Sequence, residues 1–157
     1  DPYPPNVNKL QHNICKNELD VTVVESALGD SEGTTKLSCP TGDQIGSVGI
    51  TSSGSGVETD LRTLDNVINQ NNYSQPDVMK LDVEGAEGLV LGGSHDALQQ
   101  CRVVYIELHY DNAFGVSTTD YGYTPDEVLG ILDNEGFEIS KFIQKPGQAI
   151  IKESRSS

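Results

Sequence analysis

The stretch DVMKLDVEGAEGLVLGG, residues 77–93, narrows the choice of folds more than any other part of the chain. Val78, Met79 and Leu81 make a short apolar run bounded by acids, the pattern of a strand, and the residues that follow turn at Gly85 into a helix ending at Gly92 and Gly93. A strand that empties directly into a helix is the building unit of a sheet covered by helices. It also leaves Asp82 at the strand's end, with Glu84 and Glu87 just beyond. An apolar strand places such acids rigidly, and the glycine lets the chain turn so that they face a ligand rather than the core.

Patterns along the rest of the chain agree with that unit. Residues 6–14 set Val7, Leu10 and Ile14 at helical spacing after prolines that suit a helix's first turn. DVTVVESALGD, 20–30, reads as a strand before a Gly-Asp turn, TTKLSC and GSVGIT as strands of a meander, and VETDLRTLDNVI as a short strand leading into a helix around Leu64 to Ile68. HDALQQC is a short helix, and RVVYIELH is the most strand-like segment of all. TPDEVLGILDNEGF opens with Thr124 as cap, Pro125 at the first helical position and Glu127 at the capping-box position, then stops at Gly136. FEISKFI and QAIIKES close the chain as an antiparallel pair. The expected fold is a single α/β domain over residues 1–157, a sandwich with a mostly parallel sheet and a C-terminal antiparallel hairpin.

The formal charge of -14, from 24 acidic and 10 basic residues, repels phosphate backbones and anionic membranes. Nucleic acid is therefore not an expected partner, and no apolar run approaches the roughly 18 residues of a membrane span. Cys15, Cys39 and Cys101 are odd in number and far apart, which fits small hydrophobes in a reducing cytoplasm. The acid excess fits a halophilic source and an acidic mesophilic protein equally. The chain opens at Asp1 without an initiator methionine, as a chain cut into would.

In an open parallel sheet, ligands gather beyond the carboxyl ends of the strands. Asp82 and Glu84 stand at one such end, and Glu107 and His109, on the same face of an extended chain, at another. If the two strands are neighbours, the four side chains share a crevice. Glu84 and Glu87 are also the acids that a helix dipole favours in a first turn. His12 and His95 have no acidic or cysteine partner at ligand spacing and carry no expected role. The Gly/Ser segment 42–56 lacks the Gly-Lys-Ser/Thr ending of a nucleotide loop, which weakens a reading of VMKLDVE as the magnesium-holding strand of a nucleotide hydrolase.

Taken together, DPYPPNVNKLQHNICKN, VTVVESALGDSEG, RTLDNVINQNNYSQPDVMKLDVEGAEGLVLGG, VVYIELH and GFEISKF resemble the FkbM-like, S-adenosylmethionine-dependent methyltransferases. The resemblance covers most of the chain, and residues 77–93 are its most specific part. It implies a Rossmann-like class I methyltransferase sandwich and S-adenosyl-L-methionine as cofactor. The implied reaction is O-methylation of a sugar or another small hydroxylated metabolite. By position, Asp1 takes the place of the acid that binds the cofactor ribose, Ala27 and Leu28 lie near the adenine, and Asp82 sits by the methionine end or the acceptor hydroxyl. His109 becomes the expected base, with Asp82 or Glu107 holding its tautomer or binding neighbouring hydroxyls, and Glu84 the expected substrate-binding residue. No metal is assigned, although Asp82, Glu84, Glu107 and His109 offer oxygen and nitrogen donors.

The resembled family begins with a strand, a glycine-rich turn and a helix that have no counterpart in this sequence. Its first two strands sit at the centre of the sheet, so the strand at 21–26 is expected to want a neighbour, supplied by an upstream segment or by a second copy in a homo-oligomer. The alternative reading is a catalytically inactive methyltransferase fragment acting as an interaction module.

Overall fold

The computed structural model describes residues 1–38, 50–51, 56–111 and 116–155. Cys39 and nearly all of the Gly/Ser segment lie outside the described residues.

Helix α1 runs Pro4–Lys16, with its prolines in the first turn, where a missing N–H costs nothing. Strand β1 is only Ala27–Leu28; β2 is Gly33–Ser38, β3 Ile50–Thr51 and β4 Gly56–Arg62. Thr63 then caps α2, Leu64–Asn71, its hydroxyl accepting from Asn66 N–H. Strand β5 is Val78–Leu81, α3 Glu87–Gly92, α4 His95–Gln100 and β6 Val103–His109. After a 3₁₀ turn at Thr118–Tyr121, absent from the sequence expectation, α5 spans Pro125–Asn134, and β7 (Phe137–Lys145) and β8 (Gln148–Arg155) form the C-terminal hairpin. Thr124 and Glu127 close the expected capping box on α5.

The strands make two four-stranded sheets, ordered β1-β4-β2-β3 and β5-β6-β8-β7. Both are mixed, which corrects the expectation of a mostly parallel sheet. Parallel pairing occurs at β1–β4 and at β5–β6, where helices α3 and α4 supply the crossover between two strands pointing the same way. The hairpin β7–β8 enters antiparallel to β6. No meander forms either, because β2 lies between β4 and β3.

The strand expected over 20–30 shrinks to two residues. Val21 to Glu25 have no ladder partner among the described residues, and Val21 is 55% exposed. β pattern alone does not make a strand; a neighbouring edge must accept its hydrogen bonds, and β4 offers one only opposite Ala27 and Leu28.

The main core sits under the second sheet. Val104, Ile106 and Leu108 alternate inward from β6 and meet Leu98 of α4, Val128 and Leu132 of α5, and Phe137 and Ile151 of the hairpin. Each such side chain contributes about 1.5–3 kcal/mol by leaving water. Arg155 ties the hairpin to this core. It donates to the α4 carbonyls Leu98 O (2.7 Å) and Cys101 O (3.1 Å) and lies over the Phe137 ring. Cys101 is the buried small hydrophobe expected, whereas Cys15 is exposed on α1.

One charge is set against this core. Glu153 on β8 is 2% exposed and its Oε1 has no partner among the described residues. Burial, with Asp133 nearby, pushes its pKa up to about 7. The folded chain thus holds a proton there that the unfolded chain releases above about pH 4.5, so stability is lost as pH rises from there through about 7. Glu153→Gln is expected to raise the thermal midpoint at pH 8 by several degrees, through about 1–3 kcal/mol. Scans at pH 4.5 should show little difference between the two proteins; an equal gain at both pH values would mean the carboxylate is not the cause.

Candidate active site

Strands β5 and β6 pair in register from Val78↔Val103 to Leu81↔Ile106. Strand β5 ends at Leu81, level with Ile106, while β6 runs on to His109, and the neighbour relation on which the crevice depended holds. Asp82, Glu84 and His109 bring donor atoms within 4.8 Å of one another. The loop between β5 and α3 makes this possible by turning sharply. Glu84 has φ 52° and Gly85 φ 95°, two successive left-handed residues, of which only the glycine adopts that region without strain.

A cavity of about 400 Å³ opens beside this turn. Asp1, Ala27, Leu28, Asp82 and Glu84 all line it, so the four residues expected at the cofactor and the one expected at the substrate face one space. Leu37 and Val90 supply apolar wall, which sequence reading did not single out. Asp1 also orders the start of α1, its carboxylate accepting from Tyr3 N–H (2.9 Å) and Asn6 Nδ2 (3.3 Å).

His109 lies behind Glu84, its Nε2 3.7 Å from Glu84 Oε2. The carboxylate on its other nitrogen is Glu87, at 2.7 Å from Nδ1, and not Asp82 or Glu107 as expected. Glu87 also accepts from Gly85 N–H (3.1 Å) and is fully buried. The hydrogen bond to Glu87 and the charges of Glu87, Glu84 and Glu107 raise the His109 pKa against the opposing effect of burial. Glu107 points elsewhere; its carboxylate lies 4.0 Å from Lys145 Nζ and is not among the cavity's walls. His95, given no role, pairs with Glu135 at 2.6 Å and links α4 to the end of α5.

Asp82, Glu84 and His109 are donors of a kind that could hold a divalent cation. Lys80 Nζ already stands 2.6 Å from Asp82 Oδ2, however, and supplies a cation to that carboxylate. Chemically, the acidic end of the cavity suits a positively charged or hydroxyl-bearing ligand, and His109 can exchange a proton near neutral pH.

The α/β domain thus sets a cavity beside a strand end and a carboxylate-paired histidine near it. The family model described as "Methyltransferase FkbM domain" matches residues 1–139, and the chain belongs to that family. No curated protein matches it. No solved structure matches it either.

Of the signals that could have located Glu87, the two flanking glycines are the clearest. A Cβ at Gly88 would lie 2.4 Å from the Tyr123 ring, and one at Gly85 2.9 Å from the Ser117 backbone, so both glycines mark close cover at the start of α3.

The two sheets meet at another glycine pair. A Cβ on Gly93, at the end of α3, would come within 2.0 Å of Gly29 O, just past β1. Gly93→Ala must therefore push apart the elements that flank the cavity. It should cost about 1–3 kcal/mol and lower the thermal midpoint by several degrees. Gly130→Ala, inside α5 with nothing within 4 Å of the new methyl, is the control and should leave the midpoint unchanged or higher.

Proposed function

We propose that the chain is an S-adenosyl-L-methionine-dependent O-methyltransferase acting on a hydroxyl of a sugar or another small metabolite. The observation that carries this reading is the convergence of Asp1, Ala27, Leu28, Asp82 and Glu84 on one cavity in a member of the FkbM family. The unit β5–α3–α4–β6, with its parallel strands, supports placing the domain among Rossmann-like class I methyltransferases.

The donor set fits such a cofactor. A carboxylate has about four acceptor sites, so Asp1, with two hydrogen bonds already made, keeps capacity for ribose hydroxyls. Ala27 and Leu28 give an apolar face for a purine, and the carboxylates of Asp82 and Glu84 favour a cationic centre near them. When bound, the cofactor supplies an activated methyl group. The protein's share is to hold the acceptor oxygen in line with that group and to take its proton. Asp82 and Glu84 accept hydrogen bonds from acceptor hydroxyls, and His109 receives the proton. Glu107, through its charge, helps keep that proton on the ring.

Calorimetric titration with S-adenosylhomocysteine, in dilute and in molar potassium chloride, tests the reading directly. Saturable one-to-one binding is expected, and a folded sample that gives no heat in either salt would overturn it. With an acceptor in hand, His109→Ala should lower turnover by about 100-fold or more while S-adenosylhomocysteine affinity stays within about twofold. Unchanged turnover would remove His109 from the chemistry.

A further inference from the structure

The sequence EGAEG, residues 84–88, sets Glu87 between two glycines at the start of α3. A first-turn acid that served only the helix dipole would gain by staying in water. Glu87 instead has no exposed surface at all. Gly85 and Gly88 explain how: without side chains there, the segment 117–123 closes down, Ser117 backbone against Gly85 and the Tyr123 ring against Gly88. That strap packs on the start of α3, where the Glu87 carboxylate is buried.

Burying a carboxylate costs several kcal/mol unless partners compensate. The compensation for Glu87 falls on one oxygen. Oε1 accepts from both His109 Nδ1 and Gly85 N–H, and Oε2 has no partner among the described residues. Two consequences are geometric. With Nδ1–H committed to Glu87, the lone pair of neutral His109 lies on Nε2, the nitrogen 3.7 Å from Glu84, which itself lines the cavity. The bond to Gly85 N–H anchors the left-handed turn that carries Glu84.

We infer that Glu87 is the positioning residue of the site: it fixes the His109 tautomer so that Nε2 takes the acceptor's proton, and through Gly85 it sets the turn that presents Glu84. The inference rests on the methyl-transfer reading for its chemistry. In that step the acceptor oxygen forms a bond to the methyl carbon as the carbon–sulfur bond breaks and its electron pair goes to sulfur. The hydroxyl proton passes to Nε2, and the resulting imidazolium is balanced by the buried carboxylate on Nδ1. The charged groups around the ring are Asp82, Glu84, Glu87 and Glu107, with Lys80 on Asp82 and Lys145 beyond Glu107; the residue opposite His109 on β8 is Gln148. Of these, Glu87 makes the shortest bond to the ring and is the most deeply buried.

The test reads the ring itself. In long-range proton–nitrogen spectra of the ¹⁵N-histidine-labelled chain, neutral His109 should carry its proton on Nδ1, and it should titrate above the ordinary midpoint of about 6.5. Glu87→Gln keeps the shape and should lower that midpoint and mix the tautomers; Glu87→Asp should restore part of the shift. Turnover of Glu87→Gln should fall by about 10- to 100-fold, with S-adenosylhomocysteine affinity within about twofold. A wild-type spectrum with the proton on Nε2 would overturn the inference even if no variant folds. So would a Glu87→Gln protein with unchanged tautomer and midpoint. Absence of S-adenosylhomocysteine binding by the wild type would sink the methyl-transfer reading and leave the spectra to decide the pairing.

Discussion

The parallel pairing of β5 with β6 is the constraint from which the site follows. Register in a sheet is quantised, because a slip of one residue sends every side chain to the opposite face. With Leu81 level with Ile106, Met79, Leu81, Val104, Ile106 and Leu108 all enter one core, and a slip would strand them in water. The hydrophobic core thus fixes the end of β5 against the last part of β6. The acids after Leu81 and the histidine at the end of β6 inherit their proximity from the apolar residues of the two strands.

Glycine plays a second structural part. At Gly85, Gly88 and Gly93 a methyl group would collide with a neighbouring segment, and each contact joins elements distant in sequence. The first two bring residues 117–123 onto the start of α3, and the third brings the end of α3 onto the turn after β1. The cavity lies among these elements without a hydrogen-bonded sheet running through it, so close backbone approach does the work that strand pairing does elsewhere.

Much of this was legible in the chain. Helix α5 announced itself through Thr124, Pro125 and Glu127, and α2, α3, α4, β5, β6 and the terminal hairpin through periodicity and turn residues, because local signals and tertiary packing agree there. Asp1, Ala27 and Leu28 were reached by resemblance, and Asp82 and Glu84 already from the end of their strand; all five line one cavity. What was not legible depends on partners. Val21, Val23 and Val24 have strand propensity but no edge to bind among the described residues, so propensity overstated β1. The mixed sheets follow from which strands end up adjacent, which periodicity does not encode. Glu87 was read as an acid facing a ligand or as a solvated first-turn acid, and it is buried instead; the glycines nearby hint at close cover, but nothing local says that Tyr123, thirty-odd residues later, packs there. Glu107 shares the strand face of His109 as alternation requires, yet its long side chain turns toward Lys145.

The left-handed backbone at Glu84 has a consequence for how this chain could be bred. Glutamate at φ 52° carries a standing conformational cost of about 1 kcal/mol or more that glycine or asparagine would avoid. A selection for heat tolerance alone would therefore reward Glu84→Gly or Glu84→Asn, and each winner would lose the carboxylate beside His109. Thermal robustness and the acidic wall of the cavity draw on the same residue, so a screen that scores only survival would steadily erase that carboxylate.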